Sequence, residues 1–259
     1  SLPLQVKLNS IIRALGNTEG QVCLDIGPEN GIMSYYLRKK GGTWITTVSD
    51  EKTAGQITSI VGDGVHVFKG TDLPFKKKTF DAVVLVNCLE RIQDDEKFIE
   101  ECHGILKPDG WLVVNVAHNK NWSVARPIRI LLGVTFDKKG LVRPGYTESQ
   151  LFGVLKNGFD VLSMHSYSRF FLELTDLFAE WRKLRLARHG IADEARILRI
   201  CSIASLFYWI AYQLDMLLFP TKGYQLIALA KRRAWRPRNA PVLIDGRSIS
   251  EAVLNRAPD

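Results

Sequence analysis

Cysteine is scarce and unpatterned in this 259-residue chain: Cys23, Cys88, Cys102 and Cys201 form no Cys-x-x-Cys pair and join no histidine cluster. That excludes the common zinc modules and a disulfide framework, so no metal site is expected, and a reducing, cytoplasmic compartment is. Cys23 lies in an apolar strand pattern, where a thiol packs as a small hydrophobe. The dinucleotide fingerprint Gly-x-Gly-x-x-Gly is missing, residues ahead of the first helix form no secretory signal, and no compact nucleic-acid-binding module or aromatic-basic array is visible. RNA or DNA is therefore a minority partner.

Acidic residues are also in deficit. There are 35 Lys and Arg against 27 Asp and Glu, a formal charge of +8. This suits an anionic partner such as a membrane surface, a nucleic acid or an acidic substrate, and equally a merely basic surface. With 46% hydrophobic and 24% charged residues the chain is ordinary globular material, long enough for one large α/β domain with an insertion.

Strand-like and helical patterns alternate. Val6–Leu15 has helical apolar spacing and ends at Gly16. Val22–Ile26 reads as a strand, 31–40 as a helix, Thr43–Asp50 as a second strand, Ala54–Ile60 as a helix and Val65–Lys69 as a third strand. Phe80–Asn87 is a continuous apolar run suited to a strand buried on both faces, and Trp111–Ala117 is similar. Between them, Asp94–Leu106 is an amphipathic helix stopped by Lys107-Pro108-Asp109-Gly110. Thr147 reads as a helix N-cap, Phe159–Tyr167 as a sixth strand and Gly223–Lys231 as a seventh. This order predicts a doubly wound α/β sheet.

The segment Val22-Cys23-Leu24-Asp25-Ile26-Gly27-Pro28-Glu29-Asn30-Gly31 is a strand, a glycine-bracketed turn and a helix start, the form of a nucleotide-type cofactor site. Together with Asp50 closing the second strand, with Asp72-Leu73-Pro74-Phe75 followed by Thr79-Phe80-Asp81-Ala82-Val83, and with Leu106-Lys107-Pro108-Asp109-Gly110-Trp111-Leu112-Val113, it resembles the class I S-adenosylmethionine-dependent methyltransferases, in the broad subgroup that includes ubiquinone-type and other small-molecule methyltransferases. The resemblance covers residues 20–167 and 223–232. It implies a Rossmann-like, seven-stranded, mostly parallel sheet whose last strand runs antiparallel. The expected division is a core of residues 1–167 and 223–233, a helical insertion at 168–222 between strands six and seven, and a tail at 234–259.

The resemblance also implies roles. Gly27, Glu29 and Gly31 would bound the methionine part of S-adenosylmethionine, with Asp25 near its ammonium. Asp50 would accept from the ribose hydroxyls, Asp72 from the adenine amine, and Leu73 would pack on the ring. Asn87 would face the meeting point of donor and acceptor. If the acceptor must lose a proton, His118 is the first candidate base, Glu90 the second and Tyr146 the third. Two departures stand out: Glu29 replaces a middle glycine, and Glu90-Arg91-Ile92 stands where relatives often carry histidine.

The acceptor is sought in the insertion. Ile200–Phe219 is twenty residues with one charge, flanked by Arg182, Lys183, Arg185, Arg188, Arg196 and Arg199 before it and Lys222, Lys231, Arg232 and Arg233 after it. Three placements are open: an interfacial anchor on an anionic leaflet, a soluble lid over an apolar pocket, or a bilayer span. The first two suggest a small apolar acceptor, a lipid, quinone or isoprenoid-like molecule. An RNA or protein methyltransferase and a non-catalytic membrane-associated scaffold are the alternatives.

Overall fold

The computed structural model describes residues 2–28, 31–120, 127–128, 131–132, 141–188, 210–211, 213–215 and 221–235. Its strands are β1 (Val22–Ile26), β2 (Thr43–Val48), β3 (Val65–Val67), β4 (Phe80–Val86), β5 (Leu106–Ala117), β6 (Phe159–Tyr167) and β7 (Gln225–Arg232). Its helices are α1 (Leu2–Leu15), α2 (Gly31–Arg38), α3 (Glu51–Val61), α4 (Asp95–Ile105), α5 (Glu148–Leu155) and α6 (Phe170–Arg188), with a 3-10 turn at Leu89–Arg91.

The strands lie in the order β3-β2-β1-β4-β5-β7-β6. The first five pair in parallel, and β7 runs antiparallel between β5 and β6. Chain order therefore reverses between β1 and β4, and the crevice at the carboxyl ends of those two strands is where open α/β sheets bind ligands. One sheet face packs on α1 and α2 through Leu8, Ile11, Met33, Leu37, Val84 and Val113. The other packs on α4 and α5 through Phe98, Ile99, Cys102, Leu151 and Leu155. Burial on both faces explains the unbroken apolar run of β4.

Asp81 locks the start of this frame. Its carboxylate accepts the Val22 N–H at 2.9 Å and the Lys107 ammonium at 2.8 Å, joining β1, β4 and β5. The expected Lys107–Gly110 turn is a bulge inside a longer strand, because Phe80 pairs with Leu106 and Ala82 with Trp111. Thr147 caps α5 as expected, in a reciprocal capping box with Gln150.

The β6–β7 connection contains α6, and it is tethered. Asp215, the one charge of the apolar segment 200–219, is 3% exposed and accepts the backbone N–H groups of Arg169 at 2.7 Å and Phe171 at 2.8 Å. A carboxylate committed to a helix N-terminus argues against a bilayer span. Ala211 packs beside it on Leu172. Glu173 pairs with Lys120 at 3.3 Å, and the Tyr224 hydroxyl donates to Asp176. Among the described residues no helix is long and apolar enough to cross a membrane; the rest of 200–219, with Glu29, Cys201 and most of the tail, lies outside them.

Candidate active site

The chain leaves β1 at Gly27 with φ +80°, a conformation that a side chain resists. Its N–H donates to the Thr47 carbonyl at 2.9 Å, and a Cβ there would lie 3.2 Å from the Val86 carbonyl and overlap Cys88. The glycine is required because the ends of β1 and β4 press together at the switch point. Gly31 has a different reason: a Cβ there would meet Ile57 and Ile60, so its lack of side chain seats α2 on α3.

Asp25 was expected at the cofactor's ammonium, but the structure engages it internally. It is fully buried, accepts from Ser34 Oγ and from Thr46 Oγ1 at 2.8 Å, and lies 3.8 Å from the Arg38 guanidinium. Burial pushes its carboxyl up, and the two hydroxyls and Arg38 oppose that. Its visible work is to tie α2 to β1 and β2. Asp50 is exposed and accepts the Thr53 N–H at 2.8 Å as the N-cap of α3, a bond that holds its carboxyl below the usual range. It sits just past the carboxyl end of β2, the position at which it was expected to accept from a ribose. Asp72 is exposed and 3.9 Å from Lys97. Leu73 is only 8% exposed and joins the core beside Phe68 and Phe98, so packing takes most of its surface.

Beyond β4 and β5 the structure assembles a polar cluster that sequence order conceals. Asn87, at φ +48°, accepts from the Lys7 ammonium at 2.6 Å and from Asn115 Nδ2 at 3.0 Å. Asn115 also donates to Gln225 at 3.1 Å and accepts from the Tyr167 hydroxyl. Glu90 is 2% exposed and accepts the Ala117 N–H at 2.5 Å and Asn87 Nδ2 at 3.4 Å, both on Oε1. Its Oε2 has no partner among the described residues. Burial raises the Glu90 carboxyl above its ordinary range. Thus Asn87 and Glu90 lie together, and Lys7, Asn115, Tyr167 and Gln225 join them from elements up to 218 positions apart.

The other two base candidates are built into the scaffold. His118 continues β5: its N–H donates to the Tyr224 carbonyl at 2.8 Å, and Nδ1 lies 2.8 Å from the Gly223 carbonyl. Burial pushes its imidazolium form down, so it is a neutral, weaker base. Tyr146 is 2% exposed, its hydroxyl 2.7 Å from both Asp95 and Arg143, which pair with each other. Burial drives its phenol up, with Asp95 adding to the effect, so its ionisation is disfavoured. Tyr146 lines a groove of about 610 Å³ that Asn119, Arg143, Gln150 and Lys156 also border. The described cysteines, Cys23, Cys88 and Cys102, are buried and unpaired, and burial pushes the Cys23 thiol up to about 12.

Known proteins place these elements. Residues 24–114 match the model of a methyltransferase domain. The demethylmenaquinone methyltransferase of Tropheryma whipplei (strain Twist) is 28% identical over 109 residues, covering 39% of this chain and 44% of that enzyme. The chain thus spans less than half the length of this curated relative. An S-adenosylmethionine-dependent methyltransferase from Mesorhizobium loti superposes with a TM-score of 0.55 at 16% identity, over 86% of this chain and 96% of that one. The cyclase SpnF superposes with a TM-score of 0.59 at 18% identity, over 87% and 79%.

Proposed function

The chain has the class I methyltransferase fold with a methyltransferase domain over residues 24–114, and we propose on that premise that it transfers a methyl group from S-adenosylmethionine to a small acceptor. The observation that carries this reading is the positive-φ turn at Gly27, pressed against Val86–Cys88 at the switch point of the sheet. The residues fit the cofactor: Gly27 leaves backbone facing the crevice, exposed Asp50 offers carboxylate oxygens to a ribose, and the start of α2 favours a negative group. When bound, the cofactor supplies an electrophilic methyl on a sulfonium. The chain's part is to align the acceptor, exclude water and accept a proton where one must leave.

The acceptor is read as small with an apolar body. The demethylmenaquinone methyltransferase likeness supports a quinone-like molecule, and α6, tethered by Asp215, Lys120 and Tyr224, serves as the lid. Transfer of labelled methyl from S-adenosylmethionine tests this. Label extracted into organic solvent with a demethylated quinol supports it; label recovered with added RNA or protein supports the macromolecular alternative.

A second reading has its own observation. Phe178 is 54% exposed beside Trp181, whose ring carries Arg185 at 5.3 Å, an aromatic-basic group suited to an anionic leaflet. Flotation with anionic liposomes at low salt, lost on replacing Phe178 and Trp181 by Ser, supports peripheral contact; no flotation of the native chain removes it. The cyclase SpnF shares the fold, and a fold alone does not dictate which chemistry it hosts.

A further inference from the structure

Two groups beside Asn87 hold hydrogen-bonding capacity that the described residues leave unused. Lys7 has three ammonium protons and gives one to Asn87 Oδ1 at 2.6 Å. Glu90 places Oε1 on the Ala117 N–H and on Asn87 Nδ2, while Oε2, buried, meets no donor. The side-chain amide of Asn87 therefore holds a surplus donor at one end and a surplus acceptor at the other. An unpartnered buried carboxylate oxygen is costly unless something completes it.

The chemistry of that complement is narrow. A carboxylate would satisfy Lys7 and be repelled by Glu90; an ammonium would satisfy Glu90 and be repelled by Lys7. A neutral amine has one lone pair, and a hydrogen bond from Lys7 would occupy the pair needed for attack. A hydroxyl donates once and accepts twice, so Lys7 can hold one lone pair while another stays free.

We propose that Lys7 and Glu90 together read an acidic hydroxyl, phenolic or enolic, on the methyl acceptor, with Lys7 donating to its oxygen and Glu90 taking its proton. The proposal rests on the methyltransferase reading above and names the substrate class for that site. The O–H bond breaks and its proton passes to Glu90 Oε2. The freed oxygen pair forms the O–CH3 bond as the S–CH3 bond of the sulfonium breaks, leaving a neutral thioether. Lys7 faces the oxyanion while it exists. The Cys88 thiol, which also feels the Glu90 charge, is kept neutral by burial. Burial raises the Glu90 carboxyl, which makes its carboxylate a stronger proton acceptor than an exposed one. Asn115, Gln225 and Tyr167 are positioning residues that fix the Asn87 amide.

The test uses the full chain saturated with S-adenosylhomocysteine, with 7-hydroxycoumarin and 4-nitrophenol as probes, because their ionised forms have distinct spectra. Bound probes should ionise about one pH unit below their solution value, a roughly tenfold preference for the anion. The methyl ethers of both probes should bind at least about tenfold more weakly. Lys7→Met should remove the shift and Lys7→Arg should retain most of it. Calorimetry in buffers of different ionisation heat should show that the native chain keeps the phenol's proton, whereas Glu90→Gln releases it to buffer. Equal binding of phenols and ethers, an unchanged spectrum in Lys7→Met, or identical proton release in Glu90→Gln overturns the proposal. S-adenosylhomocysteine binding by each variant verifies folding. If the native chain binds that nucleoside and shows no phenolate, only this proposal fails; if it binds no nucleoside, the methyltransferase reading fails with it.

Discussion

Gly27 and Cys88 meet where the carboxyl ends of β1 and β4 converge, so closely that one methyl group added at position 27 would overlap the Cys88 Cβ. That contact fixes how closely the ends of β1 and β4 approach at the switch point. Gly27→Ala combines positive-φ strain with overpacking and should destabilise the fold by about 2 to 5 kcal/mol. Gly16 has φ +72° but open space around it, so Gly16→Ala should cost about 1 kcal/mol. Urea unfolding of both variants checks this; equal losses would mean that Cys88 is not the constraint.

Asp215 anchors α6. Asp215→Ala removes the acceptor for three backbone donors at the start of α6 and should cost about 1 to 2 kcal/mol, with Asp215→Asn losing less. Hydrogen exchange should accelerate in 170–188 and leave β1 and β4 unchanged. Uniform acceleration would show that α6 is not a separately tethered unit.

The fold was legible because its signals are local. The apolar run of β4, the Gly27 turn and the Thr147 cap each depend on neighbours within a few residues. The site was less so. Asn87 and Glu90 could be picked out beside β4, but Lys7, Asn115, Tyr167 and Gln225 meet them only through sheet order and the packing of α1. Asp25 shows the opposite effect: an acid at the end of an apolar strand points to a ligand, yet Ser34, Thr46 and Arg38 consume it. Leu73 likewise reads as a loop contact and is drawn into the core by Phe68 and Phe98. The single charge of 200–219 has its explanation at Arg169 and Phe171, more than forty positions earlier.

Glu90 gives stability a definite pH dependence. Its folded-state pKa lies above the unfolded value of about 4.3, so its contribution is complete below that pH and is lost as pH rises through the folded value. Glu90→Gln should therefore gain thermal stability relative to the native chain between acidic and neutral pH. Parallel melting curves for the two proteins across that window would show that the buried carboxyl is compensated.

Tyr146 serves the scaffold. Tyr146→Phe removes the hydroxyl between Asp95 and Arg143 and should cost about 1 kcal/mol. Affinity for S-adenosylhomocysteine should stay within about twofold, a difference of roughly 0.4 kcal/mol. A large loss of affinity without a loss of stability would return Tyr146 to the binding site.

In the proposed function the crevice between β1 and β4 holds S-adenosylmethionine. Titration calorimetry of the full chain with S-adenosylhomocysteine tests it most directly, with Asp50→Ala as the companion variant. Saturable one-to-one binding is expected, weakened about tenfold or more in Asp50→Ala through loss of the proposed ribose acceptor. No heat and no thermal stabilisation with either the cofactor or its demethylated product would contradict it.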